Sequence, residues 1–211
     1  MKTIRSHNNF SDRLWTLFKD EQWEKARKLL EKELAEDPDN HWLITQLGVT
    51  YYEQRRYHEA LDLFLASREL INDCPLTLWH LAGTFDALGR PSEAIKIYTS
   101  LLETKVTPSA DPCWESEPWS DNLKTDCVYR LGLCFQEQGK KKRAEHCYRQ
   151  YLNLISMGTE GMYSSDEVMQ KLRSVISGQS NGSARSKRLH KAVESVLCSV
   201  TSGATVQGTA K

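Results

Sequence analysis

The stretch Ile44–Phe64, ITQLGVTYYEQRRYHEALDLF, decides the fold. Its large apolar residues recur three or four positions apart on either side of a polar run, a spacing that is typical of helices. Gly48 in the first half and Ala60 in the second half are small, and helix backbones approach each other closely only where the side chains are small. The stretch therefore predicts two antiparallel helices that meet at Gly48 and Ala60.

The same pattern returns every 34 residues. Two series of three residues follow this step, namely Ala26, Ala60 and Ala94, and Leu30, Phe64 and Tyr98. Three pairs of residues follow it as well, namely Leu47 with Leu81, Gly48 with Ala82, and Tyr51 with Phe85. A further copy is found downstream in the residues Val128, Leu131, Gly132, Phe135, Ala144 and Tyr148. A degenerate first copy keeps Leu14, Leu17, Ala26, Leu30 and Pro38 in register.

An aromatic-x2-Leu-Gly-x2-Tyr run followed by Ala-x3-Phe, repeated at about 34 residues, is the signature of the tetratricopeptide repeat. The sequence resembles this superfamily over four repeats, at about 7–40, 41–74, 75–108 and 125–158. The resemblance implies an all-α protein, an α-solenoid of helix-turn-helix repeats in which each repeat buries its apolar face on the next. Gly89 and Gly139, near the turn between the two helices, fit helix ends.

The third and fourth repeats are separated by 16 extra residues, 109–124. Pro112 and Pro118 interrupt helical structure, so a loop is expected there, ending in a lengthened helix capped near Ser120.

Two tryptophans of this insertion, Trp114 and Trp119, stand among acidic residues. One interpretation makes them an edge contact for a partner, since binding residues are often carried by loops. The other folds them back over apolar surface on repeats three and four.

After the fourth repeat, Ser164 and Glu167 form a capping box, which predicts a helix over 164–177 that closes the end of the stack. Residues 1–177 are then the repeat domain.

From residue 178 the composition shifts to Gly, Ser, Asn and Thr, and the tail 178–211 is expected to be flexible and disordered. Apolar residues at helical spacing inside this tail suggest a segment that docks in a groove or a transient helix, and they are Leu189, Val193, Val196, Leu197 and Val200.

Composition narrows the class of partner. The sequence has 28 lysine and arginine residues and 28 aspartate and glutamate residues, so its formal net charge is zero. It therefore gives no basic stripe that would favour binding to nucleic acid or to an anionic membrane. With no apolar run of signal-peptide or membrane-spanning length, a cytoplasmic protein is expected. The six cysteines are then expected to be reduced thiols.

In the tetratricopeptide superfamily the first helices of successive repeats line a concave groove. The resemblance places an aromatic-rich set of residues on this face, namely Trp15, Phe18, Trp42, Thr45, Val49, Tyr52, Trp79, Gly83, Asp86, Tyr129, Leu133 and Gln136. Exposed aromatic side chains are costly unless something covers them, and they are common anchors of protein interfaces. A second interpretation packs Trp42 and Trp79 between adjacent helices instead.

The sequence lacks the residues that two specialised functions require. Repeat domains that clamp the C-terminal carboxylate of heat-shock chaperones use Lys, Asn and Arg in the groove, whereas the corresponding positions here are Ser11, Trp15, Thr45, Val49, Leu76 and His80. No phosphate-binding glycine-rich loop, His-Glu-x-x-His or Gly-x-Ser-x-Gly motif is present, so no enzyme activity and no cofactor are expected.

The grouping of Cys127, Cys134, Cys147 and His146 raises the question of zinc. No Cys-x2-Cys pair exists, and Cys127 and Cys134 are two helical turns apart, so small core residues with free thiols are the favoured interpretation and no metal is expected.

The sequence therefore predicts a protein–protein interaction module, an adaptor, scaffold or chaperone-like protein that binds a peptide or a helix of another protein. Two alternatives stay open, a self-associating structural protein and a thiol- or zinc-dependent sensor.

Overall fold

The computed structural model describes residues 3–104 and 117–177. Across these two ranges the chain forms helices and turns and no strand, as predicted for an all-α protein. The helices are α1 (Thr3–Lys19), α2 (Trp23–Glu36), α3 (His41–Glu53), α4 (Tyr57–Leu70), α5 (Pro75–Ala87), α6 (Pro91–Glu103), α7 (Glu117–Glu137), α8 (Lys141–Ser156) and α9 (Ser165–Ser177). The tail 178–211 and Trp114 lie outside the described residues.

Along the chain, eight of these helices follow one another in twos joined by short turns, and contacts within such a unit join α1 to α2, α3 to α4 and α7 to α8. The second residue of each short turn has a left-handed backbone, with φ of 53° at Glu21, 60° at Arg55 and 69° at both Gly89 and Gly139. Glycine adopts this conformation without steric cost, which confirms the predicted role of Gly89 and Gly139 at helix ends.

The helices α3 and α4, and likewise α7 and α8, meet at small residues. A Cβ added at Gly48 would lie 2.6 Å from the Phe64 ring, and one at Gly132 would lie 2.6 Å from the Tyr148 ring. The matching alanines of the second helices, Ala26, Ala60, Ala94 and Ala144, have no solvent exposure. The aromatic ring of the second helix therefore packs directly on the backbone of the first, as the sequence pattern predicts.

Helix α9 packs on α8 as an additional, unpaired helix. The Ser164 hydroxyl accepts a hydrogen bond from the Glu167 backbone N–H at 3.2 Å, as expected for the start of this helix. One side of α9 is buried through Val168, Met169, Leu172 and Val175, while Gln170, Arg173, Ser174 and Ser177 are exposed. An apolar inner face and a polar outer face suit a helix that ends a stack of repeats.

The start of the fourth repeat differs from the prediction. The lengthened helix is present, but α7 begins at Glu117, three residues before the predicted cap at Ser120. Pro118 lies in the first turn of α7, where its missing backbone N–H removes no hydrogen bond from the helix. The proline therefore fits the beginning of this helix.

By its internal contacts the chain divides into two compact units. Among the described residues, unit one comprises 3–101 and unit two comprises 102–104 and 117–177.

Candidate functional site

The residues predicted to line the first-helix face differ widely in exposure. Trp15 on α1 is 52% exposed and is the most accessible of them. Phe18, Trp42, Tyr52, Trp79, Asp86, Leu133 and Gln136 are half-buried. Thr45, Val49, Gly83 and Tyr129 are buried. Sequence register thus places a residue on a helix face without deciding whether solvent reaches it.

Thr45 is buried because it belongs to a cluster of three hydroxyl groups between α3, α4 and α5. Its Oγ1 lies 2.8 Å from Ser67 Oγ and 2.8 Å from Thr77 Oγ1, and Ser67 also donates to the His41 carbonyl at 2.9 Å. A buried hydroxyl needs such partners to offset its lost hydration. Thr45 is therefore a packing residue, and its prediction as a contact residue is wrong.

Val49 follows Thr45 by one helical turn on the same side of α3 and is likewise buried, at 8% exposure. It is part of the apolar interior, and its prediction as a contact residue is also wrong. Gly83 of α5 is buried as well. The middle of the predicted face is thus closed, and partly exposed aromatic residues remain on either side of it.

Trp42 and Phe18 are packed against one apolar core of repeats one and two. The centre of this core is formed by Leu14, Ala26, Leu30, Leu43 and Leu47. Trp42 also meets the Phe10 ring edge-on at 6.4 Å, and Phe18 meets Trp15 at 5.8 Å. Trp42 is therefore mainly a packing residue. Trp15, in contrast, has more than half of its surface exposed to solvent.

A second aromatic group joins α3, α4 and α5 through His80, which the sequence placed at a groove position but not among the predicted anchors. The His80 ring lies 4.8 Å from Trp79, 6.3 Å from Tyr52 and 5.4 Å from Phe64, on which it stacks. Tyr52 in turn contacts Tyr57 at 5.4 Å. These edge-on and stacked arrangements are the ones that aromatic rings prefer, and they place Tyr52 and Trp79 beside the same His80 ring.

Tyr129 of unit two was predicted to be an exposed anchor, and the structure buries it to 1% exposure. Its ring stacks on Tyr163 at 3.9 Å, and its hydroxyl donates to Glu167 Oε1 at 2.8 Å. Burial and the Glu167 carboxylate both raise the pKa of this hydroxyl. Tyr129 is covered by the connection between α8 and α9, so it cannot contact a partner on this face.

The α8–α9 connection is fixed to α7 by backbone hydrogen bonds. The Met162 N–H donates to Asp126 Oδ1 at 2.8 Å, and the Glu160 N–H donates to Asn122 Oδ1 at 3.2 Å. Burial raises the pKa of the Asp126 carboxyl, and the Met162 N–H partly opposes that shift. At Gly161, an added Cβ would clash with the hydroxyl of Tyr151, whose ring contacts Tyr129 and Tyr163, so this chain segment lies directly on these tyrosines.

The described cysteines do not have the properties of a thiol or zinc site. Cys74, Cys127, Cys134 and Cys147 are all buried, and none of these four forms a disulfide. Burial raises the pKa of Cys127 to about 12 and that of Cys147 to about 11, and the thiolate is the form that binds metals and reacts. Within residues 3–104 and 117–177, no group of three or more His, Cys, Asp or Glu side chains is placed to hold a metal ion.

Comparison with protein families agrees with the helix pairs. Three models of the tetratricopeptide repeat match residues 17–76, 77–111 and 126–154, which together span more than half of the sequence. The chain belongs to the tetratricopeptide repeat family. The comparison with curated proteins finds no match.

Solved structures with this fold share little sequence with the chain. MamA residues 41 to the end, from Desulfovibrio magneticus RS-1, is similar with a TM-score of 0.65 and 10% identity, over 96% of this chain and 97% of that one. A Podospora anserina protein described as a kinesin light chain with nearly identical TPR-like repeats has a TM-score of 0.62 and 14% identity, over 99% and 100%. YrrB, described as a TPR protein with an unusual peptide-binding site, has a TM-score of 0.58 and 13% identity, over 94% of this chain and 86% of that one.

These repeats make the chain a protein–protein interaction module, and the tetratricopeptide fold is typically not enzymatic. In the part of the chain that the structure describes, no helix combines the length and the apolar character needed to cross a membrane.

Proposed function

We propose that the chain is an adaptor that binds a peptide or helical segment of another protein on the first-helix face of unit one, with Trp15, Tyr52 and Trp79 as its apolar anchors. The exposure of Trp15 carries the proposal, because its half-exposed indole ring, which meets Phe18 edge-on, offers apolar area that a partner can bury. Tryptophan and tyrosine are also the residues most often found as binding hot spots.

The charges on α3 and α5 indicate what chemistry the partner has. Neither helix contains lysine or arginine, and their acidic residues, Glu53 and Asp86, lie near their C-terminal ends. Over α3 and α5, an apolar segment that carries lysine or arginine fits better than an acidic one, because its cations meet carboxylates and aromatic faces. Helix α1 adds no such preference, since it carries Arg13 and Lys19 as well as Asp12. The absence of cations from α3 and α5 agrees with the lack of a carboxylate clamp.

Two further observations support this location. In unit two the predicted anchor Tyr129 is covered, so the predicted aromatic anchors that keep solvent exposure belong to unit one. YrrB, a protein of the same fold, is described as having a peptide-binding site, so a repeat array of this kind is able to hold a peptide. On this proposal the partner would lie along α1, α3 and α5.

The test is a selection of peptides from a displayed random library on the wild-type protein, repeated on the double variant Trp15→Ala/Trp79→Ala. Peptides enriched on the wild type and lost on the double variant would support the proposal. The matched control is Leu65→Ala/Leu70→Ala, which removes exposed apolar side chains from the second helix α4. Equal enrichment on the wild type and on the double variant would rule out the aromatic face.

A further inference from the structure

The turns inside the four repeats share one backbone geometry. In each, the residue before the second helix donates its N–H to the carbonyl five residues earlier, at 2.8 Å for Gln22 to Leu17, 3.0 Å for Arg56 to Tyr51, 2.8 Å for Arg90 to Phe85 and 2.8 Å for Lys140 to Phe135. The backbone angles at Arg56 (φ −86°, ψ 63°) and at Lys140 (φ −81°, ψ 60°) are nearly the same. Side chains at these turns can therefore be compared position by position.

In repeats two and three the turn binds a carboxylate of the chain itself. The Arg56 Nε donates to Glu59 Oε1 at 2.8 Å, while its guanidinium lies 4.6 Å from the centre of the Tyr51 ring. Arg90 repeats the arrangement with Glu93 at 2.9 Å and with the Phe85 ring at 4.5 Å. Each site thus combines a cation, an aromatic face and a carboxylate.

In repeat four the cation and the ring are kept and the carboxylate is replaced by a cation. Arg143 stands at the position of Glu59 and Glu93, and α8 has no acidic residue in its first turn. Lys140 Nζ lies 6.0 Å and the Arg143 guanidinium 5.5 Å from the Phe135 ring. The basic turn, residues 140–143, therefore gathers four cations, all exposed, at one end of a helix.

This charge arrangement opposes the stability of the isolated helix. The start of a helix carries the positive end of its dipole, so cations there are unfavourable and an added anion is favourable. An arginine that is held near a ring keeps a planar guanidinium ready to bind a carboxylate through two hydrogen bonds.

We propose that the basic turn, together with Phe135, is a second docking surface that binds an acidic peptide segment of a partner protein. One partner carboxylate takes the place that Glu59 and Glu93 hold in repeats two and three, and the neighbouring lysines meet further acidic residues. The observation that points to a carboxylate, rather than to any anion, is that the chain fills the same backbone geometry twice with glutamate. This surface belongs to unit two and is independent of the aromatic face of unit one.

The experiment measures binding of a fluorescent oligoglutamate peptide to the full chain by anisotropy at low and moderate salt. The wild type should bind, more weakly as salt screens the charges. Arg143→Glu restores the carboxylate of repeats two and three and should weaken binding at least tenfold, while the melting temperature should not fall. Arg143→Lys should stay within a fewfold of the wild type.

The matched control is Arg173→Glu on the exposed side of α9, which changes the net charge equally and should leave binding within about twofold, because a single rim charge outside a docking surface contributes little. Absence of binding by the wild type, unchanged binding by Arg143→Glu, or an equal loss in Arg173→Glu would overturn the proposal. A preference for single-stranded DNA or for phosphatidylserine vesicles over the acidic peptide would also overturn it.

Discussion

Thr45, Trp79 and Tyr129 occupy the same position in the first helices of repeats two, three and four, yet their surroundings differ. Thr45 is small enough to enter a hydroxyl cluster between three helices, and Tyr129 lies under the α8–α9 connection. Trp79 remains half-buried beside His80. The comparison teaches that the repeat fixes the direction of a side chain, while its exposure depends on its size and on the element packed next to it.

The largest expected effect is the difference in stability loss between substituting the covered Tyr129 and substituting the exposed Trp15. Tyr129→Ala should lower the free energy of unfolding by about 3–5 kcal/mol, because it empties a packed aromatic site and removes the bond to Glu167. Trp15→Ala should change it by no more than about 1 kcal/mol, as is usual for an exposed side chain. Urea denaturation of both variants checks this, and similar losses in the two would contradict the difference in burial.

The hydroxyl cluster gives the next effect. Thr45→Val should cost about 1–3 kcal/mol, because it leaves Ser67 and Thr77 with one fewer buried hydrogen-bond partner. Thr50→Val on the same helix is the matched control, since the Thr50 hydroxyl is equally buried and donates only to the nearby Leu47 carbonyl. Thermal denaturation should rank Thr45→Val as the more damaging change, and the reverse order would show that Thr45 is not fixed by this cluster.

Two substitutions in the turns should change the stability by smaller amounts and in opposite directions. Arg55→Gly should stabilise the protein by about 0.5–1 kcal/mol, because glycine adopts the positive φ of this residue without strain. Gly139→Ala, at the corresponding turn of repeat four, should destabilise it by about 1 kcal/mol for the same reason. Melting temperatures of the two variants should therefore move in opposite directions, and movement in the same direction would contradict the shared turn geometry.

The smallest effect concerns Asp126, which fixes the α8–α9 connection over Tyr129. Its pKa is raised in the folded state, so its contribution to stability is present below the unfolded pKa and is lost as pH rises through the folded value. Asp126→Asn keeps an oxygen to accept the Met162 N–H and removes the buried charge. This variant should be more stable than the wild type near neutral pH, and the advantage should shrink in acid.

Thermal denaturation of both proteins between about pH 4 and pH 7, spanning the usual carboxyl range, measures this difference. A stability difference that does not depend on pH would contradict the raised pKa.

Much of the fold could be predicted from spacing alone. The 34-residue period, the small residues at Gly48 and Gly132 and the capping box at Ser164 each follow from local packing or hydrogen bonding, and the helices lie where these signals place them. The lengthened α7 was predicted with a beginning near Ser120, three residues late, because Pro118 was treated as a helix breaker and is instead a first-turn residue. Proline has both roles, and the sequence does not tell them apart.

The candidate site was harder to predict because exposure depends on contacts between distant residues. Tyr129 is covered by Tyr163 and bonded to Glu167, which is 38 residues away, and Thr45 is bonded to Thr77, which is 32 residues away. Register cannot reveal such partners. The basic turn was missed for a different reason, since Arg143 is informative only when it is compared with Glu59 and Glu93.

The most direct test of the central claim is calorimetric titration of a peptide selected on the wild type against three forms of the chain. Binding to Trp15→Ala/Trp79→Ala should be at least tenfold weaker, a loss of about 1.4 kcal/mol or more, because hot-spot anchors are removed. Binding to Leu65→Ala/Leu70→Ala should equal that of the wild type. The opposite pattern, with affinity lost on the α4 variant and kept on the tryptophan variant, would contradict the assignment of the binding face to the first helices of unit one.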